Sequence, residues 1–121
     1  MKKAEWKTII QRTAEEAGTY KEHFNPVIET LADILEKRDD AEAYFQATGG
    51  EPVVTHTNKG GNSNTVKNPA LVLIMELNAQ ALAFWRDLGL TPSGLKKLNA
   101  DALTAKATTD GFEKLLAKIG Q

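Results

Sequence analysis

The hydrophobic pattern is densest between residues 68 and 98, where apolar positions and helix boundary signals agree. Asn68-Pro69 is the order typical of an N-cap followed by the first helical residue, where the missing proline N–H has no intrahelical partner to lose. Leu88-Gly89 ends the periodic stretch with the residue that most often closes a helix. The pattern predicts a helix of about 20 residues, a tight corner, and a short second helix that begins at Thr91-Pro92.

The beginning of this predicted helix is apolar on every side. Residues 70–75 form the longest apolar run in the chain. A helix with this pattern must be covered on more than one side, and a chain of 121 residues has few other residues with which to cover it. We therefore expect a homo-oligomer with an interface that includes Leu71, Val72, Ile74 and Met75.

Two earlier segments also have helical spacing. The first runs from Ala4 to Ala17 and ends at Gly18; the second begins at Asn25-Pro26 with another cap-and-proline signal and continues as one helix to about Ala47. The apolar stripes are Trp6, Ile9, Ile10, Thr13, Ala14 and Ala17 in the first, and Val27, Ile28, Leu31, Ile34, Leu35, Ala41, Tyr44 and Phe45 in the second.

The period changes after Thr48-Gly49-Gly50. Residues 52–57 are rich in β-branched side chains, residues 58–62 are turn-forming, and residues 65–67 are extended again. This order predicts a β-hairpin or an extended excursion between the second and third helices. Because a two-stranded ribbon is marginal alone, we expect it to pack on helices or on another subunit.

A last amphipathic pattern lies near the C-terminus. Asp110 and Glu113 have the spacing of a reciprocal capping box, and Phe112, Leu115, Leu116 and Ile119 form one stripe. This segment either closes the subunit's own core or docks elsewhere. The whole chain, residues 1–121, is predicted to be a single, mainly α domain: an N-terminal helical pair (1–47), a hairpin or loop (51–67), a central helix and corner (68–98), and a helical tail (99–121).

Charge is segregated along the chain although its net value is only −1. Residues 1–12 carry four bases and one acid, residues 13–51 three bases and ten acids, and residues 52–121 eight bases and five acids. Clustered bases can bind DNA even when the protein as a whole carries no net positive charge. The candidates for DNA contact are Lys2, Lys3, Lys7 and Arg12, with Lys96 and Lys97 behind them; the alternative is that these bases are only solvated. The acids of the second helix are interpreted as a solvated face, paired locally with Lys37 and Arg38, rather than as a metal cluster.

Groups that could perform catalysis do not converge in this sequence. There is no cysteine, and His23 and His56 fall on different predicted elements. Lys59 precedes Gly60-Gly61, whereas a phosphate-binding loop needs its lysine after the glycines. We expect no enzymatic activity, no metal and no cofactor. The apolar run of residues 70–75 is far shorter than the ~18 residues of a spanning helix, and no signal core follows Met1, so a soluble, intracellular protein is expected.

The combination of Asn68-Pro69, a long helix, and the residues LGLTPS at 88–93 resembles one family of phage terminase small subunits. The resemblance extends upstream through the Gly18 turn and the Thr48-Gly49-Gly50 break, covering roughly residues 6–98. Family members commonly have a basic residue after TPS, where this chain has Gly94. The resemblance implies a ring that recognises the packaging start on double-stranded viral DNA in the host cytoplasm. It also implies regulation of a large subunit that carries the ATPase and nuclease.

Two other classes of function compete with this interpretation. A small helical transcriptional regulator or antitoxin is one, since Thr91-Pro92 after a glycine corner resembles a helix-turn-helix bend. In that case only Lys96 and Lys97 would reach toward DNA, and two lysines are a poor set for reading base edges. A small metal-dependent enzyme is the other. The mass in solution separates the first two classes, because a ring of many subunits fits only a terminase and a dimer fits a regulator.

Overall fold

The computed structural model describes residues 1–101 and 103, and it is mainly helical with one β-hairpin. The elements in order are α1 (Lys3–Ala17), a 3-10 turn (Glu22–Phe24), α2 (Asn25–Ala47), β1 (Val53–Thr57), β2 (Ser63–Lys67) and α3 (Pro69–Asp87). Helical backbone follows over residues 92–101, here called α4. This confirms the predicted class and the hairpin between the second and third helices. The predicted C-terminal helix around Phe112 lies outside the described residues.

The second helix is the centre of the fold. The first turn of α1 contacts the second half of α2, where the Lys3 amide donates to Glu36, so the two helices are antiparallel. On α3, Pro69 lies beside the C-terminal half of α2, while Ala81 and Leu88 pack near its beginning, so α3 is antiparallel to α2 as well. The buried core cluster consists of Ile10, Ile28, Leu31, Ala32, Leu35, Ala81 and Leu88.

Local hydrogen bonds explain why the helices begin and end where they do. The Asn68 side chain accepts from the Ala70 amide at 3.0 Å, and the Thr91 hydroxyl accepts from the Gly94 amide at 3.1 Å, so both predicted caps are confirmed. Gly18 ends α1 in the left-handed conformation. The predicted cap at Asn25 is wrong: the 3-10 turn runs directly into α2, Asn25 is already helical, and its side chain accepts from the Tyr20 hydroxyl instead.

The hairpin projects from the helices with its side chains largely in solvent. Its strands are antiparallel, with Thr55 opposite Thr65 and His56 opposite Asn64. Only Val54 among the ten strand residues is half-buried; the others are exposed. The ribbon therefore does not pack on helices of its own subunit, and the other expected alternative, packing on another subunit, stays a prediction.

In the part of the chain that the structure describes, no helix is both long and apolar enough to span a membrane.

Candidate functional site

An open apolar groove lies between the second half of α2 and the first half of α3. Its volume is about 530 Å³. We call it the α2–α3 groove, and it is lined by Lys37, Asp40, Ala41, Tyr44, Pro69, Ala70, Leu73 and Leu77. Tyr44 is 64% exposed and Leu73 is 46% exposed. Its spacing placed Tyr44 on the apolar stripe of α2, but its side chain lines the open groove and does not enter the subunit's core.

A second apolar surface lies on the other side of α3. Leu73 and Met75 are two positions apart, which separates them by about 160° around a helix of 3.6 residues per turn. Met75 is 64% exposed and Leu82 is 49% exposed, and half-buried Leu71 lies one turn before Met75 on the same side. We call Leu71, Met75 and Leu82 the α3 flank. The helix therefore has apolar residues facing the core, the groove and the flank.

The four residues predicted to form a subunit interface have different positions. Ile74 is 5% exposed and belongs to the subunit's own interior, Leu71 and Val72 are half-buried, and Met75 is open to solvent. The interface itself stays a prediction. Leu73, Tyr44 and Leu82 are further exposed apolar residues that were not predicted, because helical spacing does not reveal which sides the rest of the chain will cover.

The N-terminal bases do not form one basic face. Lys2, Lys7 and Arg12 are exposed, and Lys7 and Arg12 are separated by about 140° around α1. Lys3 is half-buried, and its ammonium group lies 3.3 Å from a carboxylate oxygen of Glu29. Lys3 is therefore not isolated from acids, because α2 brings its carboxylates alongside the first turn of α1.

A hydrogen-bonded network around Asp39 joins α1 to α2. Its carboxylate accepts from Trp6 Nε1 at 2.7 Å and from Arg38 at 2.9 Å, and the Met1 amino group lies 3.2 Å away. Partial burial raises the pKa of Asp39, but these three hydrogen bonds outweigh burial, so its pKa is lower than that of an ordinary aspartate. Arg38 also stacks over the Trp6 ring and donates to Asn78 of α3 at 3.4 Å. Asp39 therefore has a structural role.

The corner after α3 places Lys96 and Lys97 on the surface, whereas Gly94 is buried. A Cβ at Gly94 would collide with the carbonyl oxygen of Arg86 and lie 3.0 Å from the Thr91 hydroxyl oxygen. A side chain at the position after TPS would thus point at the protein's own backbone. Lys97 shares a shallow cleft with Arg86, but Asp87 and Asp101 line the same cleft.

Residues that could bind metal do not come together in the described part of the chain. No group of three or more histidine, aspartate or glutamate side chains there could hold an ion. His56 is exposed on β1, and His23 is exposed beside the ring of Phe24, which it contacts edge-on at 4.6 Å between centroids. The features that remain as functional candidates are therefore surfaces.

Comparison with known proteins identifies the family. A model of the phage terminase small subunit matches residues 3–103, which includes all the described helices and the hairpin. It also includes the stretch, roughly residues 6–98, in which the sequence resemblance was found. No curated protein and no solved structure gives a match. The chain belongs to the family of phage terminase small subunits, and its general role is in phage DNA packaging.

Proposed function

We propose that this protein is the non-catalytic, ring-forming component of the packaging machine, which binds double-stranded viral DNA and regulates the large subunit. In this proposal it recognises the packaging initiation site in the host cytoplasm, while the large subunit supplies ATP hydrolysis and DNA cleavage. The family supports the general role. The observation that carries the assembly is the pair of unlike apolar surfaces on opposite sides of α3.

One of these two surfaces is concave and the other projects. The α2–α3 groove is concave and lined mostly by apolar side chains, while the α3 flank presents Met75 and Leu82 outward. A contiguous apolar surface that is open to solvent is a candidate for a protein interaction site. Because the surfaces differ, the flank of one subunit can fit the groove of the next.

A contact between two different surfaces has a consequence for symmetry. A self-complementary patch pairs two subunits and then stops, whereas a head-to-tail contact leaves one groove and one flank free at the ends. Further subunits add, and the ends meet as a closed ring where the rotation between neighbouring subunits closes; otherwise an open filament forms. The arrangement of the groove and the α3 flank therefore favours a ring over a dimer.

A ring also strengthens DNA binding by weak basic groups. Each subunit is slightly acidic overall, but copies of the same basic side chains on one rim act together, which raises affinity without any new contact. Binding of this kind releases counterions and is steeply dependent on salt. The proposed contacts are Lys2, Lys3, Lys7, Arg12, Lys96 and Lys97.

Native mass spectrometry tests the assembly, with and without the cognate viral DNA end. We expect a closed oligomer of several subunits, and Leu73→Asp and Met75→Asp should each reduce its mass because an unpaired charge is buried at the contact. Leu71→Asp should act like Met75→Asp. Ile74→Asp is unsuitable because it disrupts the subunit's own core. A wild-type protein that is only a dimer, or Asp variants that stay fully assembled, would contradict the proposed interface.

Replacement of bases tests the DNA contacts. Changing Lys2, Lys3, Lys7 and Arg12 to alanine should lower affinity for viral and unrelated DNA alike and flatten the slope of log affinity against log salt. If that variant keeps the wild-type slope while Lys96→Ala with Lys97→Ala loses it, DNA is bound at the corner instead.

Purified protein should hydrolyse neither ATP nor DNA, and turnover that persists after all partners are removed would overturn the non-catalytic role.

A further inference from the structure

The exposed hairpin has a chemical composition unlike the rest of the surface. Residues 52–75 are the longest stretch of the chain without an aspartate or glutamate. Within it, Lys59 lies at the turn and Lys67 at the end of β2, and both are exposed. Neither makes a salt bridge within the described part of the chain, in contrast to Lys3 on α1. The bases of the hairpin are thus available to an anionic partner.

The strand pairing sorts the remaining side chains into two faces. Directly opposite residues in an antiparallel pair lie on the same face, so Thr55 and Thr65 share a face with Thr57 and Ser63. The hydroxyl oxygens of Thr57 and Ser63 are 3.1 Å apart. The opposite face carries the pair His56 and Asn64 beyond the pair Val54 and Val66. Both faces offer hydrogen-bonding groups of the kinds that contact phosphates and base edges in DNA complexes.

Hydrogen bonds at two places hold the ribbon in a fixed shape: at its turn, and at its root, where residues 51–52 meet Asn68 at the start of α3. At the root, the Asn68 amide donates to the Pro52 carbonyl at 2.9 Å and the Asn68 side chain donates to the Glu51 carbonyl at 2.9 Å. At the turn, the Asn58 side chain accepts from the amides of Gly60 and Asn62. Asn68 also caps α3, so the hairpin is attached directly to the first turn of that helix. A ribbon held at both ends can present Lys59 without folding on binding.

We propose that the β1–β2 hairpin is a DNA-contacting element of this protein and inserts into the major groove of duplex DNA. Strands of five residues extend about 17 Å, and the major groove, about 12 Å wide, admits a two-stranded ribbon. Lys59 and Lys67 contact phosphates and fix the position of the ribbon, while the threonine face meets base edges. The inference rests on the proposed function and adds the place where DNA is bound.

The contrast with α1 explains why the hairpin is the stronger candidate. The bases of α1 point in several directions, and the carboxylates of Glu29, Glu36 and Asp39 lie beside its first turn. Phosphates approaching that end meet negative as well as positive charge. Glu51, which precedes the hairpin, is the nearest acid to it along the chain, and it lies at the root rather than along the ribbon.

The test compares two double variants that remove the same charge. Lys59→Ala with Lys67→Ala should weaken binding to duplex DNA and flatten the slope of log affinity against log salt by up to about 1.8 for each hairpin in contact. Lys2→Ala with Lys7→Ala is the matched control on α1 and should flatten the slope less. Lys59→Arg with Lys67→Arg should keep the wild-type slope, because the charge is retained. All these positions are exposed, so unchanged melting temperature and native mass serve as the folding check.

A second pair of substitutions separates charge from hydrogen bonding. Thr55→Val with Thr65→Val keeps the β-branched shape and the charge but removes two hydroxyl groups, so we expect lower affinity for the viral packaging site at an unchanged salt slope. If the double lysine variant keeps the wild-type slope, or if it changes the assembly's mass instead, the hairpin does not contact DNA and the inference is overturned while DNA binding itself stands. If the wild-type protein binds no duplex DNA even at low salt, the proposed function fails as well.

Discussion

The two ends of α3 are similarly apolar but are covered in different ways. At the C-terminal end, Ala81 and Leu88 are buried, and Gly89 approaches Leu98 and comes close to Thr19. At the N-terminal end, Leu73 and Met75 remain exposed on opposite sides of the helix. One end is covered by its own chain, and the other is left for a partner.

The difference comes from where the chain goes next. After Leu88 it reverses at Gly89 and returns as α4, which packs against the end of α3 so closely that Gly94 has no room for a side chain. Before Pro69 the chain arrives from the hairpin, which points into solvent and covers neither the groove nor the flank. The apolar content of a helix therefore shows that it must be covered, while the path of the connections decides what covers it.

The largest expected effect is the difference in the free energy of unfolding between substitutions at the two ends of α3. Leu88→Ala removes a fully buried side chain and should lower the free energy of unfolding by about 2–5 kcal/mol. Met75→Asp changes an exposed position and should alter it by no more than about 0.5 kcal/mol. Both are measured by urea unfolding in the Leu73→Asp background, where assembly is expected to be lost. Equal losses at the two positions would show that Met75 is covered within the subunit.

A smaller effect isolates the close packing at the corner. Gly18 and Gly89 are both left-handed, but a Cβ at Gly18 meets nothing within 4 Å, whereas one at Gly89 meets Leu98 and lies 3.1 Å from Thr19 Cγ2. Alanine at either position should cost about 1 kcal/mol for the backbone conformation, and at Gly89 about 1–3 kcal/mol more for overpacking. The difference between the two alanine variants in thermal unfolding measures the packing alone. If Gly18→Ala is equally destabilising, the corner is looser than described.

The smallest effect concerns the network around Asp39, which joins α1 to α2. Asp39→Asn should weaken the contacts with Trp6 and Arg38 and lower the free energy of unfolding at neutral pH by on the order of 1 kcal/mol. Because the pKa of Asp39 is lower in the folded state, its contribution is fully present above the unfolded value of about 3.9 and is lost as pH falls through the folded value. The difference between wild type and Asp39→Asn should therefore shrink below about pH 4. A difference that stays constant to strongly acidic pH would show that the charge of Asp39 is not responsible.

Much of the fold follows from local signals in the sequence. Asn68-Pro69 and Gly89 mark the ends of α3 within one or two residues, because caps and left-handed glycines act on the backbone beside them. The hairpin follows from β-branched residues on either side of a turn. The cap at Asn25 was mistaken because the 3-10 turn before it was not visible as a pattern.

The functional surfaces depend on contacts between distant residues, and these have no local signal. The groove forms because Tyr44 and Leu73 lie on adjacent helices. Lys3 is paired because Glu29 lies across from it on α2. Periodicity gave the apolar character of residues 70–75 but not which sides face solvent. The hairpin had one usable signal, its long stretch without acids, which becomes meaningful only once the ribbon is seen to be exposed.

The central claim is that subunits join head to tail, with the α3 flank of one in the α2–α3 groove of the next. Native mass spectrometry of a mixture tests it most directly. Met75→Asp retains an intact groove and Leu73→Asp retains an intact flank, so each alone should be largely monomeric, whereas an equimolar mixture should form a one-to-one heterodimer and nothing larger. A mixture that stays monomeric, or variants that each still form the wild-type oligomer, would contradict the claim.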